Sequence, residues 1–381
     1  MLIGLGDLGS IILEFLARED CLGRIVVCSR NEARGIARCN LARLSAVAQG
    51  YTPSICFIPL DVNNKVAVIE TVRREKPDIV LCTASMQTWW LPNLLPPEQA
   101  ALIKSAGFGV WLPVHLTLTL RLMEALYDLS YGGITLTAPF PDVVNCVLGR
   151  LNLAPTCGVG NLDEIVTKVR LLAADRLNAS LEEVRLLLVA HHALESAVFG
   201  EPAKEIPPYF LRIEYGGVNV TESVGGDELV FAPYVLPPGP AIHFLTAGST
   251  VKLVRAFLSD NEVLVHTPAP KGLPGGYPVI VGRRDLRLAP IEGITLEEAI
   301  AINECSHRFE GIERIEADGT VVFCPESSEV LKTALGYECK RLSPGDSEER
   351  AKELIARFKE YARRYGVNLH LSGGEHYVLF N

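Results

Sequence analysis

The sequence has 381 residues, which is long enough for two to three ordinary domains. Hydrophobic residues make up 48% and charged residues 21% of the chain, a composition that is typical of globular proteins and excludes disorder as the main state. The formal net charge is −9. Because a negative protein repels a phosphate backbone, we expect no nucleic-acid partner.

The longest stretch without a charged residue covers residues 229–251 and contains four prolines, which would break a membrane-spanning helix. We therefore expect no membrane segment. The ten cysteines form no C-x-x-C pair, and several lie in apolar, strand-like runs. This pattern indicates reduced core residues in a cytoplasmic protein.

The clearest local signal is the run Gly4-Leu5-Gly6-Asp7-Leu8-Gly9, between an apolar start and an apolar-periodic helix that reaches about residue 18. Another apolar run follows at residues 24–28, so the order is strand, turn, helix and strand. In such a turn the glycines allow a tight bend, a close approach to a pyrophosphate, and close packing of helix on strand. The sequence therefore predicts a dinucleotide site formed by Gly4, Gly6, Asp7, Leu8 and Gly9. Only three residues precede Gly4, so either the first strand is unusually short or the natural chain begins upstream.

The end of the second strand indicates which nucleotide is bound. An NAD site usually has an Asp or Glu there, about 20 residues after the glycines, that binds the ribose 2′-hydroxyl. This sequence has Ser29-Arg30-Asn31 instead. Because Arg30 and Ser29, helped by Arg34, can accommodate a 2′-phosphate, we favour NADP, with NAD as the alternative. Arg30 could also be only a solvated charge at a strand end.

Strand-like runs continue at residues 54–59, 78–82 and 133–137 and alternate with helical patterns. This alternation predicts an α/β protein with a doubly wound, parallel Rossmann sheet. Asp61 and Val62, after the third strand, are predicted to flank an adenine, unless Asp61 only caps the next helix. We place a dinucleotide-binding domain at residues 1–155 and a second, α+β domain for substrate binding and oligomerisation at residues 156–381. The second domain is predicted to contain a hairpin around Gly216-Gly217 and an exposed amphipathic helix over residues 347–365.

Four segments resemble a known family in their order and spacing. They are Thr83-Ala84-Ser85 after the fourth strand and residues 139–144, 158–163 and 189–193. Together they are similar to landmarks of the lactate/malate dehydrogenase superfamily, which also includes the NAD-dependent family 4 glycosidases. Residues 28–31 and 60–63 are more weakly similar to saccharopine dehydrogenase-like proteins.

The superfamily resemblance implies roles for particular residues. His192, with His191 as a rival, would transfer the proton, and Asp163 would orient the imidazole. Thr83, Ala84 and Ser85 would line the cofactor. The resemblance also implies a small-molecule substrate between the domains and a homo-oligomer, either a dimer or a tetramer.

Several positions depart from the superfamily pattern. Val166 replaces the arginine that binds the substrate carboxylate, Phe140 replaces a polar residue, and the loop at residues 85–92 contains Trp89 and Trp90 but no arginine. Without a bidentate clamp, oxidation of lactate or malate is not expected. We expect no metal, because Cys157 lies one residue from the position that the glycosidase pattern requires.

These observations leave three hypotheses. The first is an NADP-dependent oxidoreductase, a dehydrogenase that acts on a carbonyl or alcohol. The second is a non-catalytic NADP(H)-binding or sensing protein, which a cleft filled by Trp89, Phe140 and Val166 would favour. The third is a saccharopine-type amino-acid dehydrogenase, whose site would be lined by arginines of the second domain, such as Arg283, Arg284 and Arg287.

Overall fold

The computed structural model describes residues 1–200, 205–237 and 239–369, so the predicted second domain lies partly outside the described residues. Its largest sheet has six strands in the order β3-β2-β1-β4-β5-β6, and all neighbouring strands are parallel. The strands are β1 (Leu2–Ile3), β2 (Ile25–Ser29), β3 (Ile55–Pro59), β4 (Ile79–Cys82), β5 (Ile134–Thr137) and β6 (Cys157–Gly158). The predicted doubly wound Rossmann sheet is confirmed.

Helices connect successive strands of this sheet. They are α1 (Asp7–Leu16), α2 (Glu32–Val47), α3 (Lys65–Glu75), α4 (Pro97–Lys104), α5 (Leu112–Asp128) and α6 (Pro141–Arg150). The strand order reverses beside β1, which pairs with both β2 and β4. In doubly wound sheets such a switch point forms a crevice at the carboxyl ends of the strands. The glycine-rich turn lies at this crevice.

The second half of the chain is α+β, as the sequence predicts. The described part of this half contains three antiparallel sheets of three strands each, in the orders β7-β8-β9, β10-β11-β12 and β13-β14-β15. The strands are β7 (Val184–Val189), β8 (Phe210–Tyr215), β9 (Val218–Asn219), β10 (Val263–Pro268), β11 (Gly276–Gly282), β12 (Asp285–Leu288), β13 (Ile312–Ile315), β14 (Val321–Phe323) and β15 (Arg341–Leu342). The helices are α7 (Leu162–Leu177), α8 (Ala193–Phe199), α9 (Gly226–Phe231), α10 (His243–Leu258), α11 (Leu296–Ser306), α12 (Pro325–Leu335) and α13 (Ser347–Arg364). The predicted Gly216-Gly217 hairpin joins β8 to β9.

The C-terminal segment, residues 312–369, packs back onto the six-stranded sheet. Its apolar side chains share one buried core with β1, β4 and α5. Trp111 and Phe358 meet edge to face there, with ring centroids 5.1 Å apart. The predicted amphipathic helix is therefore not exposed on its apolar side, because that face covers α5.

A second core joins the glycine-rich helix to the other half of the chain. Helix α1 packs against α10, where Phe15 meets Phe244 and Arg255 donates to Glu19 at 2.7 Å. Among the described residues no single helix is apolar and long enough to cross a bilayer. The two helical segments Pro97–Lys104 and Phe108–Asp128 are together long and apolar enough to cross a bilayer, but they are bent by 87° relative to each other.

Candidate functional site

The glycine-rich turn has the geometry that its spacing predicts. Gly4 has a φ of +102°, and a Cβ there would lie 2.6 Å from the backbone nitrogen of Ala84. A Cβ on Gly9 would lie 2.3 Å from the carbonyl oxygen of Gly4. A Cβ on Gly6, by contrast, meets nothing within 4 Å, and α1 begins at the next residue. The backbone thus leaves open space at a helix N-terminus, which fits the phosphates of a dinucleotide.

The residues after β4 lie beside this turn. Thr83 donates its backbone N–H to Ile3 at 2.8 Å and its hydroxyl to the carbonyl of Gly4 at 2.9 Å. Ser85 donates to the carbonyl of Gln87 at 2.8 Å. The structure therefore brings Thr83, Ala84 and Ser85 together with the glycines.

The end of β2 presents basic residues. Arg30 is exposed there, and the Asn31 side chain accepts the backbone N–H of Arg34 at 3.0 Å, which caps α2. Burial and then the charge of Arg34 lower the pKa of Arg38, which lies one turn further along α2.

The segment predicted to flank the adenine, Asp61 and Val62, is partly buried. Val62 is buried in the core with β4 and α5. Asp61 accepts the backbone N–H of Asn63 at 3.0 Å, which forms a tight turn, and Asn64 is the residue that caps α3. The alternative in which Asp61 caps that helix is therefore wrong, while the adenine contact stays a prediction.

The loop at residues 85–92, which contains Trp89 and Trp90, folds over the start of α1. Trp90 is buried and donates its indole N–H to the Asp7 carboxylate at 3.1 Å. Trp89 is 37% exposed and donates to Nε2 of His243, the first residue of α10, at 2.8 Å. Burial lowers the pKa of His243 to about 4, so its ring is neutral and can accept this hydrogen bond.

His192 follows β7 and is paired with a buried carboxylate from a distant part of the chain. Its Nδ1 lies 2.6 Å from Oε1 of Glu310, and its side chain keeps 18% exposure. Burial opposes the charged ring, but Glu310, then Glu195 and Asp142, raise the pKa of His192 to about 10. The ring is therefore an imidazolium at neutral pH, and its Nδ1–H donates to Glu310.

Asp142 fixes the backbone at this point. One carboxylate oxygen accepts the backbone N–H of His192 at 3.0 Å, and the other accepts Nδ2 of Asn161 at 2.5 Å. Asp142 is fully buried, and burial raises its pKa while His192 and Asn161 act in the opposite direction. Asp142 belongs to the segment 139–144 that carried the resemblance, but no role was predicted for it.

Two of the predicted catalytic residues, Asp163 and His191, do not make the contacts that the resemblance implies. Asp163, in the first turn of α7, binds the ammonium of Lys252 on α10, so the carboxylate that orients His192 is Glu310. His191 is 1% exposed, accepts the backbone N–H of Ala193 at 3.2 Å and packs edge-on against His307. Burial lowers the pKa of His191 well below its usual range. His191 is therefore enclosed in the core, whereas His192 keeps part of its ring exposed.

Aromatic side chains lie against His192. The rings of Phe108 and Phe140 have centroids 5.1 Å and 5.4 Å from the imidazole. Phe140 has a φ of +45°, a left-handed conformation that its neighbours must impose. Val166 lies elsewhere, in the core formed by α7, β7 and β8. Of the three residues that would fill the cleft, only Phe140 is shown in contact with His192.

Two more acidic side chains belong to this region. Glu164 accepts the backbone N–H of Asn161 at 3.2 Å and the hydroxyl of Thr246 at 2.7 Å, both through Oε1. Glu195, on α8, acts on the pKa of both His192 and Glu164. Neither carboxylate was predicted to have a role.

The arginines suggested for a saccharopine-type site lie elsewhere. Arg283 pairs with Asp260 and Arg287 with Glu262, on exposed parts of the hairpin β11–β12. Arg284 binds Asp78, which precedes β4. Arg284 therefore lies at the amino ends of the parallel strands, whereas the glycine turn lies at their carboxyl ends.

No family model and no curated protein matches the sequence. Solved structures do. A malate dehydrogenase from Plasmodium falciparum is 14% identical, with 93% of this chain and 98% of that chain covered and a TM-score of 0.54. A lactate dehydrogenase from Cryptosporidium parvum, complexed with lactic acid and nicotinamide adenine dinucleotide, is 17% identical, with 81% and 94% covered and a TM-score of 0.52. A lactate dehydrogenase from Eimeria maxima with NADH and oxamate is 14% identical, with 81% and 91% covered and a TM-score of 0.54. The chain therefore has the fold of the malate and lactate dehydrogenases.

Proposed function

We propose that the protein is an NAD(P)-dependent oxidoreductase that interconverts a carbonyl and an alcohol at His192. The pairing of His192 with the buried Glu310 carries this proposal, because it gives a proton donor whose charged form is stabilised at neutral pH. The open glycine turn at Gly6 supports it from the cofactor side.

The bound nicotinamide would supply or accept the hydride. His192 would donate the Nε2 proton to the substrate oxygen during reduction and take it back during oxidation. Glu310 holds the imidazolium through Nδ1, and Asp142 holds the backbone N–H of the same residue. Because the ring is protonated at neutral pH, these residues favour carbonyl reduction under those conditions.

We infer a preference for NADP over NAD from the end of β2. Two of the similar solved structures contain nicotinamide adenine dinucleotide or NADH. This chain has Ser29 and the exposed Arg30 where a 2′-hydroxyl would need an acid, and Arg34 lies in the first turn of α2. A 2′-phosphate would accept hydrogen bonds from these side chains, and the segment Ser29-Arg30-Asn31 contains no carboxylate to repel it.

Fluorescence titration with NADPH and NADH tests the proposal. Arg30→Ala should weaken NADPH binding by about tenfold or more and leave NADH binding nearly unchanged, because one charge-assisted contact is lost. Arg24→Ala, at the opposite end of β2, is the matched control and should change neither. Failure of the unaltered protein to bind either nucleotide would exclude the proposed function.

The second candidate is a protein that binds NADP(H) without turnover. The packing of Phe108 and Phe140 on His192, and the contact of Trp90 with Asp7, favour it. The two candidates differ in one measurement: with NADPH bound, only an enzyme consumes it in the presence of a carbonyl compound. The saccharopine-type alternative has lost its main support, since its arginines lie away from His192.

We also propose that the protein forms a homo-oligomer in the cytoplasm. Ile36, Leu41, Leu44 and Val47 are 45–68% exposed and follow one face of α2, which supports self-association. All ten cysteines lie in the described part of the chain and are free thiols, as a reducing compartment requires. Light scattering of the purified protein should give the mass of a dimer or a tetramer, and a monomer would contradict this proposal.

A further inference from the structure

A cavity of about 790 Å³ lies at the amino ends of the parallel strands, and both halves of the chain form its walls. The first half supplies residues between 123 and 135, at the end of α5 and the start of β5, and residues 152–156, before β6. The second half supplies Lys271 and residues 284–286, at the turn between β11 and β12. This volume is typical of small-molecule sites, which measure about 300–1,000 Å³.

Much of the lining is apolar or aromatic. Leu126, Ile134 and Leu286 are buried side chains of the cavity wall. Tyr127 is 65% exposed, and Tyr131 is half-buried with its hydroxyl donating to the carbonyl of Pro77 at 2.9 Å. Because tyrosine rings pack well against other flat rings, this lining suits an aromatic group.

Of the four charged side chains that line the cavity, three are bound within the protein. Asp128 pairs with Lys65 at 2.6 Å, Arg284 pairs with Asp78, and Asp285 accepts the backbone N–H of Leu286 at 2.8 Å. The fourth is Lys271, whose ammonium makes no hydrogen bond or ion pair with the residues that the structure describes. An anion can therefore bind Lys271 without displacing a partner.

The backbone holds Lys271 at the cavity. Its N–H donates to the carbonyl of Thr156 at 3.0 Å, and Thr156 exchanges two hydrogen bonds with Thr135 of β5, at 3.0 and 2.9 Å. Lys271 has a φ of +52°, in the left-handed region. Glycine adopts this conformation more readily than lysine does, so a lysine at this position points to a use of its side chain.

We propose that this cavity is a second ligand site, separate from the dinucleotide crevice, for a small aromatic carboxylate. The aromatic group would pack on Tyr127 and Tyr131, and the carboxylate would accept hydrogen bonds from Lys271. One unpartnered cation matches one negative charge, which favours a carboxylate over a phosphate dianion.

The cavity and the glycine turn lie at opposite ends of the six-stranded sheet. Ile134, the first residue of β5, lines the cavity, whereas the glycine turn lies at the carboxyl ends of the strands. A ligand in the cavity would therefore not compete with a dinucleotide. It would also contact both halves of the chain and so stabilise their association.

Three indole derivatives of different charge test the ligand class. They are indole-3-acetate, tryptophol and tryptamine, which carry an anion, no charge and a cation. In calorimetric titrations of the full chain, indole-3-acetate should bind about tenfold more tightly than tryptophol, and tryptamine should bind most weakly. Saturation with NADPH should leave the affinity for indole-3-acetate unchanged.

Variants of the cavity wall locate the site. Lys271→Met should lower the affinity for indole-3-acetate to that for tryptophol and leave tryptophol binding unchanged, whereas Lys271→Arg should keep the preference for the anion. Ala154→Trp places a large ring at an exposed position of the wall and should weaken the binding of all three compounds. Lys340→Met, at an exposed lysine outside the cavity, is the control. Melting temperatures report whether each variant is folded.

Four results would overturn the proposal. They are no binding of indole-3-acetate, equal affinities for the three compounds, displacement of indole-3-acetate by NADPH, and a preference for the anion that persists in Lys271→Met. Displacement by NADPH would place the compound at the glycine turn. Loss of the preference in Lys271→Met alone, with tryptophol still bound, would assign the carboxylate contact to Lys271.

Discussion

His192 and Glu310 are 118 residues apart in the chain, and their side chains are 2.6 Å apart. The histidine follows β7, and the glutamate lies in a short 3-10 turn just before β13. The proposed proton donor thus depends on a carboxylate that belongs to a later part of the fold.

Replacement of Glu310 should shift the pH dependence of carbonyl reduction. The charge of Glu310 stabilises the imidazolium and helps to raise the pKa of His192 to about 10, so reduction should persist up to that pH and decline above it. In Glu310→Gln the decline should occur about 1–3 pH units lower, because an opposing charge is removed. Rates measured from neutral pH to pH 11 test this, with Glu313→Gln as the exposed control. An unchanged profile would contradict the role of Glu310.

The same pair should make stability depend on pH. The pKa of His192 is raised on folding from 6.5 to about 10, so the folded state binds the proton more tightly. The stabilisation is therefore complete below pH 6.5 and is lost as the pH rises through 10. Urea unfolding across this range should show a loss of stability that is much smaller in Glu310→Gln. If the stability of the unaltered protein and of Glu310→Gln depended on pH in the same way, the pair would not contribute to stability.

His192→Asn should abolish proton transfer without removing the cofactor site. We expect a loss of about 10²- to 10⁴-fold in turnover, the usual contribution of a general acid, and unchanged NADPH affinity. Stopped-flow oxidation of NADPH and fluorescence titration measure the two effects separately. Full activity in this variant would remove His192 from the mechanism.

Gly6 and Gly9 should respond differently to alanine. A methyl group on Gly9 would overlap the carbonyl of Gly4, so Gly9→Ala should destabilise the protein by about 1–3 kcal/mol. A methyl group on Gly6 meets open space, so Gly6→Ala should fold with a cost of about 1 kcal/mol or less but weaken NADPH binding. Thermal unfolding and titration of both variants decide this. A Gly6→Ala protein with normal affinity would mean that the phosphates bind elsewhere.

Asp7 places a negative charge at the N-terminus of α1, where phosphates are expected. Asp7→Asn keeps an acceptor for Trp90 and removes this charge. NADPH affinity should therefore rise about two- to fivefold, most clearly at low salt, since a charge at a helix terminus contributes about 0.3–1 kcal/mol. Titrations at two salt concentrations measure this. Weaker binding would indicate that Asp7 contacts the nucleotide through a hydrogen bond that the structure does not show.

The sequence was most informative where function depends on the local backbone. The glycine spacing requires a particular turn, and the alternating strands and helices around it specify the sheet, so both were predicted. His192 was predicted through a resemblance in the segment after β7, and its role stays a prediction. Each of these patterns lies within a few consecutive residues, so it can be recognised in the sequence alone.

The partners of His192 could not be read in this way. Asp163 occupies the expected position on α7, but its carboxylate binds Lys252 on α10 instead of His192. Glu310 carries no motif, and only the packing of its 3-10 turn beside Phe108 and α8 brings it to the site. Side-chain pairs of this kind depend on how elements pack, which periodicity does not determine.

The return of residues 312–369 to the six-stranded sheet has a consequence for how the protein is made. The side chains that cover α5 and β4 leave the ribosome well after the N-terminal half, so that half cannot bury this part of its core until they follow. Until then its apolar surface stays exposed to chaperones and to other chains. Since Glu310 immediately precedes this segment, docking of the C-terminus onto the sheet and assembly of the His192 pair should be one event in folding.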